Sequence, residues 1–476
     1  MKGGVVIHMR KIITYIGFAG FILILLIPLV LLNPKKDAVS EIDNKYLAVN
    51  PFSAGGDFTD NCEAFISERI GFRNEEITLY TILNDKLFDE MVHPSYAYGK
   101  DGYVFFKFGK NKEYGDFEEN FIHMLSEIQK YCEDRNVPFV FVFEPSKASI
   151  YTDKLPDGFN YNDDWVSLFT KRLDEEGINY VDNTFVLKSL RNEGIEGFNI
   201  KYNAGHWNDV GAFYGMNAIL RNLESQGVNL HVNLENEYNV DLVLRDSLLV
   251  SQFPIVEYEP VYSLIDEGNI IKDISDQYDN EVVRCAQYHG FGYRINNKRQ
   301  EEKCAKALVF QGSYINGMGY KFLENGFGEY IYVHDYQNIL DFEYYFNIFK
   351  PDCVILDAAQ YTFSSGYFDN AKMQAFELNP LLSIFDGYRM ESISNPPIEI
   401  EQGETITNIT INVPLDNIDY AYYYTETGEY DVIQKYDSAN NTSYYSLSIE
   451  NNNVSSDGVF YFIDTVNKVK YILNMN

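Results

Sequence analysis

An apolar run, Ala307-Leu308-Val309-Phe310, leads into Gly312-Ser313, and helical spacing follows near Tyr320 to Asn325. A serine at such a turn stands at the carboxyl end of a strand, where ligand sites form in α/β sheets. Gly312 permits a tight bend, and the amides of Gly312 and Ser313 can face a developing oxyanion. That is what an acyl-transfer serine requires. Taken alone the signal is weak, because most serines at helix starts only cap them.

A nucleophilic serine needs a base within about 2.6–3.2 Å of its hydroxyl. His206 is the candidate, set between Gly205 and Trp207 just ahead of the helical stretch that opens Asn208-Asp209-Val210-Gly211-Ala212. A lone histidine is more often a structural hydrogen-bonding residue. A third rim position is Glu144-Pro145-Ser146-Lys147, which ends the apolar run Phe139 to Phe143. Ser146, Lys147 and Trp207 are candidate substrate-binding residues, with Lys147 either meeting an acidic sugar or partner or capping loop carbonyls.

These residues need a sheet to carry them. The Phe139 to Phe143 run reads as a strand covered on both faces, the mark of parallel architecture. Asp116, with Glu119 three residues on, predicts a capped helix to about Cys132, with Phe117, Phe121, Met124, Leu125 and Ile128 at helical spacing. Further elements alternate: a helix over Trp165 to Glu176, a strand at Asn179 to Asp182, a helix over Asp209 to Leu223, strands at Tyr330 to Val333 and Cys353 to Leu356, and a helix between them. Such alternation specifies an α/β sheet with right-handed crossovers. Residues 228–299 show no clean periodicity and read as an insertion. Beyond about Pro396 short β-rich pieces separated by Asn, Ser, Gly and Asp predict a small β-sandwich. Within it Tyr422 and Tyr424 share one strand face and Tyr423 the other, so that one set packs and the exposed set is free to stack on sugar rings.

The chain has 476 residues, 46% hydrophobic and 16% aromatic, enough for two or three folded units. With 38 Lys and Arg against 70 Asp and Glu, the net charge of −32 argues against nucleic acid as a partner. The five cysteines, Cys62, Cys132, Cys285, Cys304 and Cys353, have no C-x-x-C spacing, so neither a zinc site nor a redox motif is expected, and no metal or cofactor is implied. Cys285 and Cys304 are the pair that could bridge outside a membrane; most of the five read as buried free thiols. From Ile12 to Leu32 the sequence is apolar and uncharged, about the length that crosses hydrocarbon. Lys2, Arg10 and Lys11 precede it, and it ends in Asn33-Pro34-Lys35-Lys36 without a small-residue cleavage site. The expectation is a single-pass signal anchor in the cell membrane, with the main domain extracytoplasmic.

Several separated segments resemble the DHHW and AlgX/AlgJ-type family of SGNH-hydrolase-like proteins. They are Tyr46-Leu47-Ala48 with Pro51, FISERIGFR over 65–73, GKDGYVFF over 99–106, PSKASIY over 145–151, GHWNDVGA over 205–212, Gly312-Ser313-Tyr314 and Lys350-Pro351-Asp352. The resemblance implies a Ser-His-Asp triad that transfers or removes acetyl groups on extracellular glycans. Its serine falls on Ser313, its histidine on His206, and its aspartate, two positions before the histidine, on Ala204. A triad aspartate fixes the histidine tautomer, and its replacement can cost about four orders of magnitude in turnover. Asn203 is the better substitute as a neutral acceptor; Asp209 serves only if its loop folds back. Gly312 and Tyr314 are assigned to oxyanion binding or positioning.

The expected organisation is a cytoplasmic stub and anchor over 1–36, an SGNH-like α/β domain over 37–390 and a small β-rich, candidate carbohydrate-binding domain over 391–476. The expected activity is acyl transfer to, or deacetylation of, cell-surface polysaccharide, with a multipass membrane acyltransferase as partner. The competing expectation is a catalytically weakened or inactive polysaccharide-binding scaffold, motivated by Ala204 and the β-rich tail.

Overall fold

The structure is a computed structural model. It describes residues 2–36, 38–40, 46–88, 90–93, 95–106, 111–249, 253–265, 271–285, 290–334, 336–394, 396–415, 417–437 and 442–475.

Three helices come first: α1 (Lys2–Val30), α2 (Phe58–Arg69) and α3 (Arg73–Phe88). The expected span, Ile12 to Leu32, falls largely on α1, whose described side chains include exposed Tyr15, Ile16, Phe18 and Phe21. Among the described residues no helix is long and apolar enough to cross a membrane, so a spanning helix is not one of the observed elements. Arg69 ties the end of α2 to the chain leaving α1, donating to the carbonyls of Asn33 (3.1 Å), Lys35 (2.6 Å) and Ala48 (2.7 Å).

A short hairpin, β1 (Tyr96–Tyr98) and β2 (Val104–Phe106), leads to α4 (Asp116–Asp134). Glu118, rather than the expected Glu119, closes the start of α4 by accepting from the Gly115 amide at 2.9 Å. The α/β layers then follow: β3 (Phe139–Glu144), α5 (Lys147–Ile150), α6 (Asp164–Glu176), β4 (Tyr180–Asp182), α7 (Asn183–Asn192) and α8 (Asp209–Ser225). All six residues of β3 are buried. Their alternation divides the core: Phe139, Phe141 and Phe143 pack with α4 and α6 residues and with Phe342 and Phe346 on one face, while Val140 and Val142 pack with Trp207, Phe213 and Met216 on the other.

The stretch read as an insertion is built into the domain. It forms a long hairpin, β5 (Tyr238–Ser247) with β6 (Pro254–Leu264), and then β7 (Ile271–Asp273) and β8 (Gly290–Asn296). Next come α9 (Asn297–Glu301), β9 (Lys306–Gln311), α10 (Tyr320–Gly326), β10 (Glu329–His334), α11 (Phe342–Phe349), β11 (Cys353–Ala359) and α12 (Asn370–Gln374). The central sheet has the order β4-β3-β11-β9-β10-β8-β7. Its first five strands are parallel, and β8 and β7 extend it antiparallel. Antiparallel pairing needs no apolar run on both faces, which is why periodicity missed these two strands.

The tail carries β12 (Arg389–Ser392), β13 (Ile398–Gln402), β14 (Ile406–Ile411), β15 (Tyr420–Thr425), β16 (Gly428–Asp431), β17 (Ile433–Asp437), β18 (Thr442–Glu450), β19 (Val459–Asp464) and β20 (Val469–Asn474). They form a five-stranded and a four-stranded sheet, and Ile409, Leu447 and Ile449 of one share a core with Tyr423, Phe460 and Phe462 of the other. Tyr422 and Tyr423 are both fully buried, leaving Tyr424 exposed. Packing therefore accounts for most of the local tyrosine excess. The tail docks on α4 and α11 through Asp431, which takes hydrogen bonds from Tyr131 and, on its backbone carbonyl, from Asn347 at 2.7 Å. All five cysteines are free, so Cys285 and Cys304 do not bridge.

Candidate functional site

Ser313 follows β9, and the chain past it forms a π-helical turn, Ile315–Gly319, before α10. His206 lies in the bend that runs into α8, where Asn208 caps the helix by accepting from the Gly211 amide at 3.0 Å. The two meet at the rim of the sheet: His206 Nε2 is 2.9 Å from Ser313 Oγ. Ser313 is partly exposed, so its hydroxyl is reachable from solvent.

Tyr314 joins the two loops. Its buried hydroxyl donates to the carbonyls of Pro145 (2.7 Å) and Gly205 (2.9 Å), and its own carbonyl accepts from Trp207 Nε1 at 3.1 Å. Tyr314 thus ties the serine turn to the end of β3 and to the histidine bend. Trp207 is fully buried, with its indole nitrogen spent on the Tyr314 carbonyl, contrary to its expected role. The absence of a side chain at Gly205 lets the Phe106 ring pack against it, since a Cβ there would lie 1.7 Å from that ring.

The other nitrogen of His206 faces an amide. Nδ1 is 3.1 Å from Asn203 Oδ1, and Asn203 Nδ2 faces the Met318 thioether at 4.0 Å. With Oδ1 as acceptor, Nδ1 carries the hydrogen and Nε2 is left free to accept from the serine. Asn203 has a left-handed backbone (φ 50°), which asparagine adopts more readily than most residues. Ala204, where the resemblance places an acid, is buried in an apolar cluster with Leu248, Phe253 and Ile255 of the β5–β6 hairpin. Asp209 is held elsewhere, by Lys321 Nζ (2.6 Å) and the Tyr262 amide (2.8 Å). Burial without a carboxylate partner pushes the His206 imidazole down to about 4.

The hairpin also fixes the approach to His206. The Glu257 carboxylate accepts from three successive amides, Ile200 (2.6 Å), Lys201 (2.9 Å) and Tyr202 (2.5 Å). Consecutive amides of this kind form an anion-binding concavity. Glu259 beside it takes Asn199 Nδ2 at 2.8 Å.

Two expectations are corrected at the serine turn and at the end of β3. The Gly312 amide donates to Asp357 Oδ2 at 2.9 Å and so is not aimed at an oxyanion. Lys147 is buried, with Nζ on the carbonyls of Val104 (2.7 Å) and Ile200 (2.8 Å), and desolvation lowers its ammonium to about 7. It therefore staples β2 to the histidine loop, as the carbonyl-capping reading of this residue has it. Ser146 is inward too, its hydroxyl 3.1 Å from Tyr161 and 3.0 Å from Ser149.

In their place stand residues that sequence reading missed. The Tyr361 hydroxyl contacts Ser313 Oγ directly, and the Tyr336 hydroxyl lies in hydrogen-bonding reach of both. Gln360, next to Tyr361, accepts from the Ser146 amide (2.9 Å) and from Ser149 Oγ (2.6 Å), anchoring the Tyr361 turn to the end of β3. Nothing near Tyr361 in the sequence marks it. Glu144, at the end of one apolar run, and Asp357, inside another, are by contrast acids whose apolar neighbours were a signal available in the sequence.

Fold and site together define a parallel α/β domain with a serine–histidine contact at the strand ends. Residues 97–242, which include His206 but end ahead of Ser313, match the family described as "SGNH hydrolase-like domain, acetyltransferase AlgX". Among solved structures, Bacillus cereus PatB1 is similar at 18% identity, with a TM-score of 0.44 over 56% of this chain and 95% of that one. The O-acetyltransferase domain of Pseudomonas putida AlgJ gives 11% identity and 0.40 over 59% and 99%. A DHHW family protein from Eubacterium siraeum gives 14% and 0.38 over 60% and 100%. Among curated proteins none matches.

Proposed function

We propose that this protein is a serine-dependent O-acyltransferase or acetylesterase acting on cell-surface polysaccharide, attached to the cell membrane through its N-terminal segment, with the main domain outside. The observation that carries the reading is the 2.9 Å contact of His206 Nε2 with Ser313 Oγ, backed by Asn203 on Nδ1. Ser313 Oγ attacks the acyl carbonyl while His206 Nε2 takes its proton. The tetrahedral intermediate collapses to an acyl-serine, and the leaving alkoxide receives that proton. A sugar hydroxyl, or water in the hydrolytic case, then attacks the acyl-serine, passes its proton to His206, and the collapse returns it to Ser313. The phenol of Tyr361 is the nearest side-chain donor for the developing oxyanion. The donor in the membrane would be a multipass acyltransferase. Attachment is supported by the uncharged run from Ile12 to Leu32; removal of residues 1–36 should move the protein from the membrane to the soluble fraction.

Turnover of an aryl acetate by the purified protein, lost in Ser313→Ala, tests the activity; equal rates in the two proteins defeat it. A second reading is favoured by Ala204, whose apolar surroundings leave His206 without an acid. On that reading the protein is a polysaccharide-binding scaffold, glycan binding survives Ser313→Ala, and a fluorophosphonate probe leaves Ser313 unlabelled.

A further inference from the structure

Glu144 ends β3 and Asp357 lies near the end of the adjacent parallel strand β11. The register pairs Val142 with Asp357 and Glu144 with Ala359, so both acids emerge on the same face of the sheet, one pleat apart. That is the face carrying Trp207 and Tyr314. Glu144 is 0% exposed and Asp357 2%. One oxygen of each is engaged: Glu144 Oε1 takes Asn183 Nδ2 at 2.9 Å, and Asp357 Oδ2 takes the Gly312 amide at 2.9 Å. The Ile315 amide is a second donor to Asp357. The other oxygens, Glu144 Oε2 and Asp357 Oδ1, have no hydrogen-bond partner among the described residues. No lysine or arginine among the described residues pairs with either acid.

Two buried carboxylates at diagonal positions on adjacent strands, without a cation, disfavour each other's ionisation. A single proton between them would satisfy both free oxygens. The two amides on Asp357 favour its ionised form, so the proton resides mainly on Glu144. We propose that Glu144 and Asp357 share one proton, and that the resulting acid–carboxylate pair positions the Ser313 turn by holding the amides on either side of it. The proposal rests on the reading of Ser313 as nucleophile only for its consequence in catalysis. Burial raises Asp357 to about 7 against the pull of its two amides, and burial followed by repulsion from Asp357 raises Glu144 well above its usual range.

Neighbouring groups do not supply an alternative partner. From β4 Asp182 adds repulsion to Glu144, and α7 contributes the neutral Asn183. Tyr314 is committed to the carbonyls of Pro145 and Gly205, and Tyr330 of β10 to Gln311. Tyr336 and Tyr361 turn their hydroxyls toward Ser313. Gly312 itself is fitted to the acid, since a Cβ there would stand 2.9 Å from Asp357 Oδ2.

The pair is positioning machinery rather than a catalytic group, so the test reads protonation and turn geometry independently of turnover. Infrared spectra of the full-length protein at pH 7 should show the carbonyl stretch of a buried protonated carboxyl, absent in Glu144→Gln. Hydrogen exchange of the peptide spanning 307–319 should accelerate about tenfold or more in Asp357→Asn, which keeps the side-chain shape, and stay near native in Glu144→Gln. Labelling of wild-type Ser313 by a fluorophosphonate reads the nucleophile separately. Absence of the infrared band, or native exchange in Asp357→Asn, overturns the proposal. If band and exchange behave as expected while wild-type Ser313 resists labelling, the pair stands and the acyl-transfer reading is what fails.

Discussion

The two loops that meet at the site are held by different sets of groups. The histidine bend leans on several scattered ones: neutral Asn203 on the ring, Lys147 and Tyr314 on loop carbonyls, and the Glu257 carboxylate on three amides upstream. The serine turn instead sits directly on a buried carboxyl, Asp357. A conventional triad places its acid behind the histidine, where it stabilises the imidazolium that forms during reaction. Here the buried negative charge stands beneath the nucleophile's backbone. Such an arrangement organises the serine well and the proton carrier less strongly, so slow chemistry from a well-formed site is the expected behaviour.

Ser313→Ala breaks the comparison outright and should abolish both aryl acetate turnover and covalent labelling. His206→Ala removes the imidazole at the serine and should lower the acylation rate by about 10³-fold or more, measured by labelling kinetics. Asn203→Asp sharpens the contrast by placing a carboxylate on Nδ1, at a backbone conformation aspartate tolerates. Turnover at neutral pH should rise at least about tenfold, and the acid limb of kcat/KM should move up from near pH 4. In the native protein that limb should lie near 4, because His206 stays neutral above it. Between pH 4 and the ordinary histidine value of about 6.5 the unfolded chain binds a proton that folded His206 does not, so this residue's contribution to stability diminishes as pH falls through that window. Ala204→Asp should give no gain in turnover and a lower melting temperature, since the new carboxyl enters the cluster of Leu248, Phe253 and Ile255. Glu257→Gln, the smallest change, should reduce kcat a few-fold with KM little altered.

Much of the scaffold was legible in the sequence. The apolar run at Phe139 to Phe143, the Gly-Ser turn after Phe310 and the histidine ahead of a helix all rest on local pattern, and each lies where that pattern puts it. Asn203 was chosen over Asp209 from residue chemistry, and the geometry places Asn203 on the ring. What local pattern could not carry is direction. Ser146, Lys147 and Trp207 lie beside the site in sequence, yet each side chain turns inward to satisfy backbone or core. Tyr361 reaches Ser313 from the far end of β11, a contact 48 positions away in the chain. The 228–299 stretch was opaque because antiparallel edge strands and a hairpin lack the doubly buried signature.

The Glu257 clasp has a practical consequence. Among the described residues of the hairpin from Tyr238 to Leu264 none hydrogen-bonds Ser313 or His206, yet excising the hairpin would release three amides and uncover Ala204. A deletion series should therefore score this apparent ornament as indispensable. Grafting the histidine motif onto another scaffold would fail unless that single glutamate travelled with it.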